Sequence, residues 1–227
     1  MSAFKAIVFD YDGTLFDTRP AITRCLQLAF HECGRQVHTP EALTSVVNTG
    51  LPLRESLIVL DMELGDDPGA LAKLVTTYRT LYLDQAAPFI RPYPGVASVL
   101  AQINASGAKC LIVSNKGAAA ILRSLEDNRL ANFIERVFGD EPGLPKKPDG
   151  SFLTDHVLPQ YQDLQPECVL LVGDTEIDIL FAKSAGVSSC WASYGYGDDE
   201  RCRQLAPEHE ISSIGELPAL VLSGCQG

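Results

Sequence analysis

The chain has 227 residues, of which 46% are hydrophobic and 21% are charged, a composition that suits one domain with an insertion or two small domains and excludes extensive disorder. Lys and Arg number 18 against 29 Asp and Glu, and the net charge of −11 argues against nucleic acid and anionic membrane surfaces as partners. No apolar run is long enough to span a membrane.

The cysteines give the expected compartment. There are seven, an odd number, and none belongs to a Cys-x-x-Cys pair. Cys110 and Cys168 fall inside apolar runs, where buried, reduced thiols are expected. This usage disfavours a disulfide scaffold or a zinc site, and it predicts a cytoplasmic protein.

The first predicted element is a strand over residues 4–9, and a helical insertion follows it. Residues 18–87 carry helix patterns and no convincing strand, with predicted helix starts near Pro20, Pro40, Leu53 and Pro68. Leu64 and the glycine after it are expected to close the third helix. The predicted domains are an α/β core of residues 1–16 and 88–227 and an α-helical cap of residues 17–87. Linkers near 15–19 and 86–94 should let the cap open and close.

After the insertion, apolar runs of strand length alternate with amphipathic helices. Strands are predicted at residues 109–113, 137–138, 168–172 and 187–191. Residues 151–161 have a helical pattern that Pro159 should end or kink. The alternation predicts a doubly wound parallel sheet with helices on both faces.

Polar residues follow the predicted strands at the points where the strands end. They are Asp10, Asp12 and Thr14 after the first strand, Ser114 and Asn115 after the second, and Asp174 and Asp178 after a later one. Because ligands bind outside the carboxyl ends of strands in an open parallel sheet, these residues should converge on one crevice. Lys146 and Lys147 lie on a loop between two of these segments.

The four segments, in this order, resemble the motifs of the haloacid dehalogenase-like superfamily, in its phosphatase branch. The matching stretches are Asp10-x-Asp12-Gly13-Thr14, Ser114-Asn115, Lys147-Pro148 and Gly173-Asp174-x-x-x-Asp178. The likeness is greatest to phosphoglycolate phosphatase-like hydrolases, through Asn115-Lys116, Lys146-Lys147-Pro148 and Gly195-Tyr196-Gly197. It spans nearly the whole chain and includes the helical cap.

The resemblance implies hydrolysis of a small phosphorylated metabolite, a phosphate monoester such as phosphoglycolate, with Mg²⁺ as cofactor. Asp10 would be the nucleophile that forms an aspartyl phosphate, and Asp12 the general acid and base. Asp10, the backbone carbonyl of Asp12, and Asp174 would hold the metal, with Asp178 in support. Dehalogenases of the superfamily lack the second aspartate and the metal, so Asp12 and Asp174 favour phosphoryl transfer.

The remaining implied roles concern the phosphoryl group and the leaving group. Lys147 would place a positive charge against Asp10 and the phosphoryl oxygens, while Thr14, Ser114 and Asn115 would bind the phosphoryl group. Arg54, on a cap loop, would face the crevice and select the substrate.

Simpler interpretations accompany several of these roles. Asp178 fits a helix-capping residue equally, Ser114 and Asn115 fit a helix cap, and Arg54 fits a solvated arginine. Asp17 is expected at the cap hinge. At the level of function, the alternatives are a sugar phosphomutase of the β-phosphoglucomutase type, another small-molecule phosphatase such as a pyrophosphatase, and a non-catalytic binding or regulatory protein.

Overall fold

The computed structural model describes residues 4–222 of the chain, and a parallel β-sheet forms its centre. In chain order the strands are β1 (Ala6–Phe9), β2 (Phe16–Asp17), β3 (Arg91–Pro92), β4 (Lys109–Val113), β5 (Arg136–Phe138), β6 (Val169–Gly173), β7 (Ser188–Ala192) and β8 (His209–Ile211). The helices are α1 (Arg19–Glu32), α2 (Pro40–Val47), α3 (Leu53–Leu60), α4 (Pro68–Gln85), α5 (Val96–Ala105), α6 (Ala118–Asp127), α7 (Glu176–Ala185), α8 (Asp199–Gln204) and α9 (Leu217–Leu222).

The sheet has six strands in the order β5-β4-β1-β6-β7-β8, and every pairing between neighbours is parallel. Strand β1 lies between β4 and β6, with Ala6 paired to Lys109 on one side and to Val169 on the other. Its connections run through helices, as parallel neighbours require. The predicted α/β fold with a doubly wound parallel sheet is confirmed.

The central strands are buried on both faces. Ile7 and Phe9 point into one hydrophobic cluster, and Ala6 and Val8 point into a second cluster on the opposite side of the sheet. Because side chains alternate along a strand, a fully apolar run can satisfy two covered faces at once. This explains why β1 is a continuous apolar run, without the polar residue at every second position that a strand with one exposed face has.

Helices α1 to α4 follow β1 and form the helical insertion that the sequence predicts. Thr39 and Asp67 begin α2 and α4, since their side chains accept hydrogen bonds from the backbone N–H groups of Ala42 (3.3 Å) and Ala70 (2.9 Å). The third predicted helix is shorter than expected. It ends at Leu60, because the Asp61 side chain then starts a separate 3₁₀ turn over Met62–Gly65.

The two chain segments that lead into and out of the insertion lie side by side. Strands β2 and β3 form an antiparallel pair in which Phe16 lies opposite Pro92 and Asp17 opposite Arg91. These segments coincide with the predicted linkers near 15–19 and 86–94. The division into a core of 1–16 and 88–227 and a cap of 17–87 stays a prediction, as does the cap motion.

The structure also departs from the sequence predictions at some edges. Strand β8 was not predicted. Ile211 is its one buried residue, and His209 and Glu210 are polar, so the segment has no apolar run of strand length. The helical pattern near 151–161 becomes a π-helical turn, Phe152–Val157, followed by a 3₁₀ turn, Leu158–Gln160, that contains Pro159. Within residues 4–222 no helix has the length and apolar character needed to cross a bilayer.

Candidate active site

The polar residues at the strand ends meet beside a cavity of about 340 Å³. Asp10 and Asp12 follow β1, and Ser114 follows β4, so the sheet itself brings them to one edge. All three line the cavity, together with Asn115 and Lys147. The other side of the cavity is formed by α1 to α4 and the loop before α3.

Three carboxylates next to this cavity form a compact acidic cluster. Oxygen atoms of Asp10, Asp174 and Asp178 all lie within 4.8 Å of one another, and all three residues are buried. Burial raises the pKa of Asp10 from 3.8 to about 6, although Lys147 opposes this rise while Asp178 and Asp12 add to it. Burial, followed by repulsion from Asp178 and Asp10, raises the pKa of Asp174 well above its usual range. The cluster therefore holds more negative charge than the protein alone compensates, and its oxygen donors suit a hard divalent cation.

Two glycines let the chain close around the Asp174 carboxylate. A Cβ at Gly13 would lie 2.1 Å from Asp174 Oδ2, and the φ of Gly13 is +85°, a value that side chains rarely allow. A Cβ at Gly195 would lie 2.2 Å from the Asp174 Cβ. The glycine of the first motif is thus required by close approach to Asp174 as well as by the turn.

Lys147 is the cation that contacts the acidic cluster directly. Its Nζ lies 2.6 Å from Asp10 Oδ1 and 2.6 Å from Asp178 Oδ1, with the lysine side chain only 4% exposed. Burial lowers the pKa of Lys147, but the two carboxylates outweigh burial and raise it. Lys146 points elsewhere and pairs with Asp140 at 3.0 Å. Of the two neighbouring lysines, Lys147 alone among the described contacts reaches Asp10.

Hydrogen bonds on both oxygens fix the orientation of Asp174. The Thr14 hydroxyl donates to Oδ1 at 3.0 Å and the Tyr196 backbone N–H donates to Oδ2 at 2.7 Å. Thr14 is fully buried and is not among the cavity-lining residues. The sequence assigned its hydroxyl to the phosphoryl group, whereas in the structure this hydroxyl is committed to Asp174.

Asp178 combines the two roles that the sequence left open. Its Oδ2 accepts hydrogen bonds from the Thr175 backbone N–H (3.0 Å) and hydroxyl (2.8 Å), which ties it to the start of α7. Its Oδ1 accepts from Lys147, and one of its oxygens belongs to the acidic cluster. The same side chain therefore caps α7 and takes part in the acidic cluster.

Asp12 lies apart from the acidic cluster, and two residues that were not predicted to belong to the site hold its side chain. The Thr18 hydroxyl donates to Asp12 Oδ1 at 2.5 Å, and Lys116 Nζ lies 3.1 Å from Oδ1 and 3.3 Å from Oδ2. Burial opposes the charge of Lys116, but Asp12 reverses this effect and the pKa of Lys116 is raised. The Asp12 side chain is not one of the three clustered carboxylates, so the proposed metal contact through its backbone carbonyl stays a prediction.

Sequence signals for these two partners differ. Lys116 directly follows Ser114 and Asn115, and its position after the second strand could have indicated it. Thr18 carries no such signal in the sequence pattern. In the structure a turn after β1, in which the Gly13 N–H donates to the Phe16 carbonyl at 2.8 Å, brings the Thr18 hydroxyl to Asp12.

Ser114 and Asn115 differ in what their side chains contact. Ser114 lines the cavity, and its hydroxyl oxygen accepts one hydrogen bond, from the Lys116 backbone N–H at 3.3 Å. The Asn115 amide donates to the carbonyl oxygens of Gly50 (3.3 Å) and Lys147 (3.2 Å) and accepts from the Lys147 N–H at 3.1 Å. Asn115 therefore joins the insertion to the loop that carries Lys147, and its amide groups are already engaged.

Arg54 is not brought to the site. It lies exposed in the first turn of α3 and is not a cavity-lining residue, whereas Leu53 and Ser56 of the same helix line the cavity. The geometry fits the solvated arginine that the sequence left open, and a contact between Arg54 and substrate stays a prediction.

Asp17 lies in β2, at the start of the insertion, and contacts a tyrosine distant in sequence; a hinge at this position stays a prediction. The Tyr196 hydroxyl donates to Asp17 Oδ1 at 2.8 Å and accepts hydrogen bonds from the backbone N–H groups of Thr18 (2.7 Å) and Arg19 (2.9 Å). The backbone of the same tyrosine holds Asp174. Tyr196 thus links the acidic cluster to the start of the insertion.

Comparison with known proteins identifies the family of the chain. The model of the family described as haloacid dehalogenase-like hydrolase matches residues 7–192 of the chain. A phosphoglycolate phosphatase of Vibrio cholerae is 30% identical, over 98% of this chain and 99% of its own length. One of Neisseria gonorrhoeae is 27% identical, over 95% of this chain and 91% of its own length.

A solved structure, that of a haloacid dehalogenase-like family hydrolase from Streptococcus pneumoniae, superposes with a TM-score of 0.82. It is 22% identical and covers 97% of this chain and 99% of its own, so it supports the fold. The sequence predicted a member of this superfamily and an enzyme of the phosphatase type, and both predictions are confirmed. The chain belongs to the haloacid dehalogenase-like hydrolase family.

Proposed function

We propose that the chain is a Mg²⁺-dependent phosphatase that hydrolyses a small phosphate monoester through an aspartyl phosphate on Asp10. The observation that carries the proposal is the contact of Lys147 with both Asp10 and Asp178 inside a buried acidic cluster. A lysine alone does not balance three carboxylates, and the oxygen-only donor set fits Mg²⁺.

In the first step, a carboxylate oxygen of Asp10 attacks phosphorus and the bond to the leaving alcohol breaks. Lys147 engages Oδ1, while Oδ2 accepts no hydrogen bond from the described residues, so Oδ2 is the proposed attacking atom. Asp12, which lines the same cavity, gives its proton to the leaving oxygen. The products are the free alcohol and phosphorylated Asp10.

In the second step, water attacks the phosphorylated Asp10 and returns it to a carboxylate. Asp12 takes the proton of the attacking water, which restores both aspartates and releases inorganic phosphate. The carboxylates of Asp10 and Asp174 and the backbone carbonyl of Asp12 would hold Mg²⁺, with Asp178 in support. When bound, the ion supplies positive charge against the phosphoryl oxygens.

The names of the curated relatives make phosphoglycolate the first substrate to test, as the sequence resemblance also suggests. An identity of 27–30% does not carry over the relatives' substrate, so the choice of leaving group has to be argued from the residues of this chain's own cavity.

The cytoplasm remains the predicted compartment. It is supported by six free cysteines, and Cys225 lies outside the described residues.

The test is release of inorganic phosphate from a panel of phosphate monoesters with Mg²⁺ and with a chelator. Wild-type protein should release phosphate only with the metal, and Asp10→Asn should lower kcat by about four orders of magnitude or more, as loss of a nucleophile does elsewhere. Asp84→Asn, on the exposed face of α4, is the matched control and should keep full activity.

Two results would contradict the proposal. One is undiminished turnover by Asp10→Asn. The other is formation of an isomerised sugar phosphate in place of inorganic phosphate, which would favour the phosphomutase alternative. That alternative rested on the stretch from Arg54 to Leu57, of which Ser56 lines the cavity with its hydroxyl donated to the Leu51 carbonyl at 3.2 Å.

A further inference from the structure

The wall of the cavity opposite the catalytic aspartates is mostly apolar. Helices α1 to α4 and the loop before α3 contribute side chains that include Ile22, Leu26, Val47, Leu51, Leu53 and Tyr78. Tyr82 adds a second ring on α4, with its centroid 5.8 Å from that of Tyr78. A pocket of about 340 Å³ lies in the range that encloses whole small molecules, about 300–1,000 Å³. The phosphoryl site therefore shares one cavity with a mostly apolar wall, and the cavity as a whole can enclose a leaving group larger than a two-carbon acid.

The cations around the cavity are already paired. Among the described residues that line it, Lys147 contacts Asp10 and Asp178, Lys116 contacts Asp12, and Arg79 contacts Asp140 at 2.6 Å. The Lys116 ammonium also lies 4.0 Å from the centre of the Tyr82 ring. A substrate with a second anionic group, such as a carboxylate, would have to compete with a protein carboxylate for each of these cations. Burying such a charge unpaired is unfavourable.

From these two observations, and resting on the proposed phosphatase function, we propose that the leaving group is an uncharged alcohol with an apolar body. The preferred substrates would be monoesters of branched alkyl or aromatic alcohols, and phosphoglycolate would be a poorer substrate than its uncharged counterpart. The catalytic aspartates would act on the ester oxygen while α1 to α4 cover the apolar body.

A matched pair of substrates tests this directly on the wild-type enzyme with Mg²⁺. Isobutyl phosphate has the branched shape of phosphoglycolate, with two methyl groups where the latter has carboxylate oxygens. We expect kcat/KM for isobutyl phosphate to exceed that for phosphoglycolate at least tenfold. Along ethyl, propyl and butyl phosphate, kcat/KM should rise about fourfold per methylene, the value for full burial of a methylene.

A pair of variants tests whether an added cation at the apolar wall makes phosphoglycolate a better substrate. Val47 lies on α2 and lines the cavity, whereas Val59 lies on α3, is 56% exposed and does not line it. Val47→Lys places a cation without a carboxylate partner at the apolar wall and should shift the substrate ratio toward phosphoglycolate at least tenfold. Val59→Lys adds the same charge to the insertion and should leave the ratio unchanged. Circular dichroism checks that both variants fold.

The outcomes separate the two proposals. A tenfold preference of the wild type for phosphoglycolate, or an alkyl series with no rise, overturns the apolar leaving group while phosphatase activity stands. If Val47→Lys folds poorly, the substrate comparison on the wild type still decides. Absence of phosphate release from every monoester overturns the proposed function itself.

Discussion

On its core wall the cavity has buried and half-buried carboxylates and lysines in mutual contact, whereas on its insertion wall it has mostly apolar side chains. The core wall is built at the ends of parallel strands, where Asp10 follows β1 and Ser114 follows β4. The insertion wall is built from helix faces and a loop. The two walls thus differ in both chemistry and backbone support.

The difference indicates how each wall tolerates change. A buried charge that loses its partner is costly, about 3–5 kcal/mol, so the core wall depends on specific residues. An apolar wall accepts hydrophobic replacements of similar volume at a cost of less than about 1.5 kcal/mol. The reaction would therefore be set by the core, and the choice of leaving group by the insertion.

After the loss of the Asp10 nucleophile, the largest effect is expected on the core wall from removal of the Lys147 charge. Lys147→Met leaves Asp10 and Asp178 without their shared cation and should lower kcat by about 10²- to 10³-fold, the loss typical of a missing charge-stabilising donor. Lys146→Met is the control, because that side chain is 26% exposed and pairs with Asp140, and it should change kcat less than about threefold. Both kcat values are measured by phosphate release. An equal loss of kcat in the two variants would contradict a specific role for Lys147.

The next effect in size concerns the free energy of unfolding of the protein, which should depend on pH and on Mg²⁺ through the acidic cluster. Folding raises the pKa of Asp10 from 3.8 to about 6, so the folded protein holds this proton more tightly than the unfolded chain. The metal-free protein should therefore lose stability as the pH rises from 3.8 to about 6, with no further loss from this group above that range. Mg²⁺ replaces the protons, so its stabilising effect should be larger at pH 7.5 than at pH 4.5.

Thermal unfolding with and without Mg²⁺ measures this effect. At about a hundred times the dissociation constant, Mg²⁺ should stabilise the fold by about 2.7 kcal/mol, or about 5–10 °C in Tm. Asp174→Asn removes one carboxylate of the cluster and should abolish most of the shift, while Asp84→Asn should retain it. A Mg²⁺ shift of full size in Asp174→Asn would exclude the acidic cluster as the binding site.

The smallest effect is expected where the two walls meet at the surface. Arg79 of α4 pairs with Asp140 at 2.6 Å, but the arginine side chain is 46% exposed, and such pairs contribute about 0–1 kcal/mol. Arg79→Gln should change kcat/KM less than about threefold, and the change should shrink as salt screens the charges. A tenfold loss that persists in high salt would show that the two walls are coupled more strongly than this pair implies.

Local chemistry explains why the core could be predicted from the sequence. The apolar runs before Asp10 and Asp174 indicate strands buried on both faces, and parallel strands carry their following residues to one edge. The prolines and capping side chains at Thr39 and Asp67 gave the starts of two helices in the insertion. Strand β8 escaped prediction because an edge strand needs few apolar residues.

The sequence by itself determined the parallel sheet, the helical insertion and the aspartates at the strand ends, because each depends on patterns within a short stretch of chain. The tertiary structure alone decided the partners of those aspartates. Thr14 is committed to Asp174, Thr18 and Lys116 hold Asp12, and Arg54 stays in solvent. These contacts join residues up to 160 positions apart, and local periodicity holds no information about such pairs. The apolar wall likewise exists only because several helices meet over one edge of the sheet.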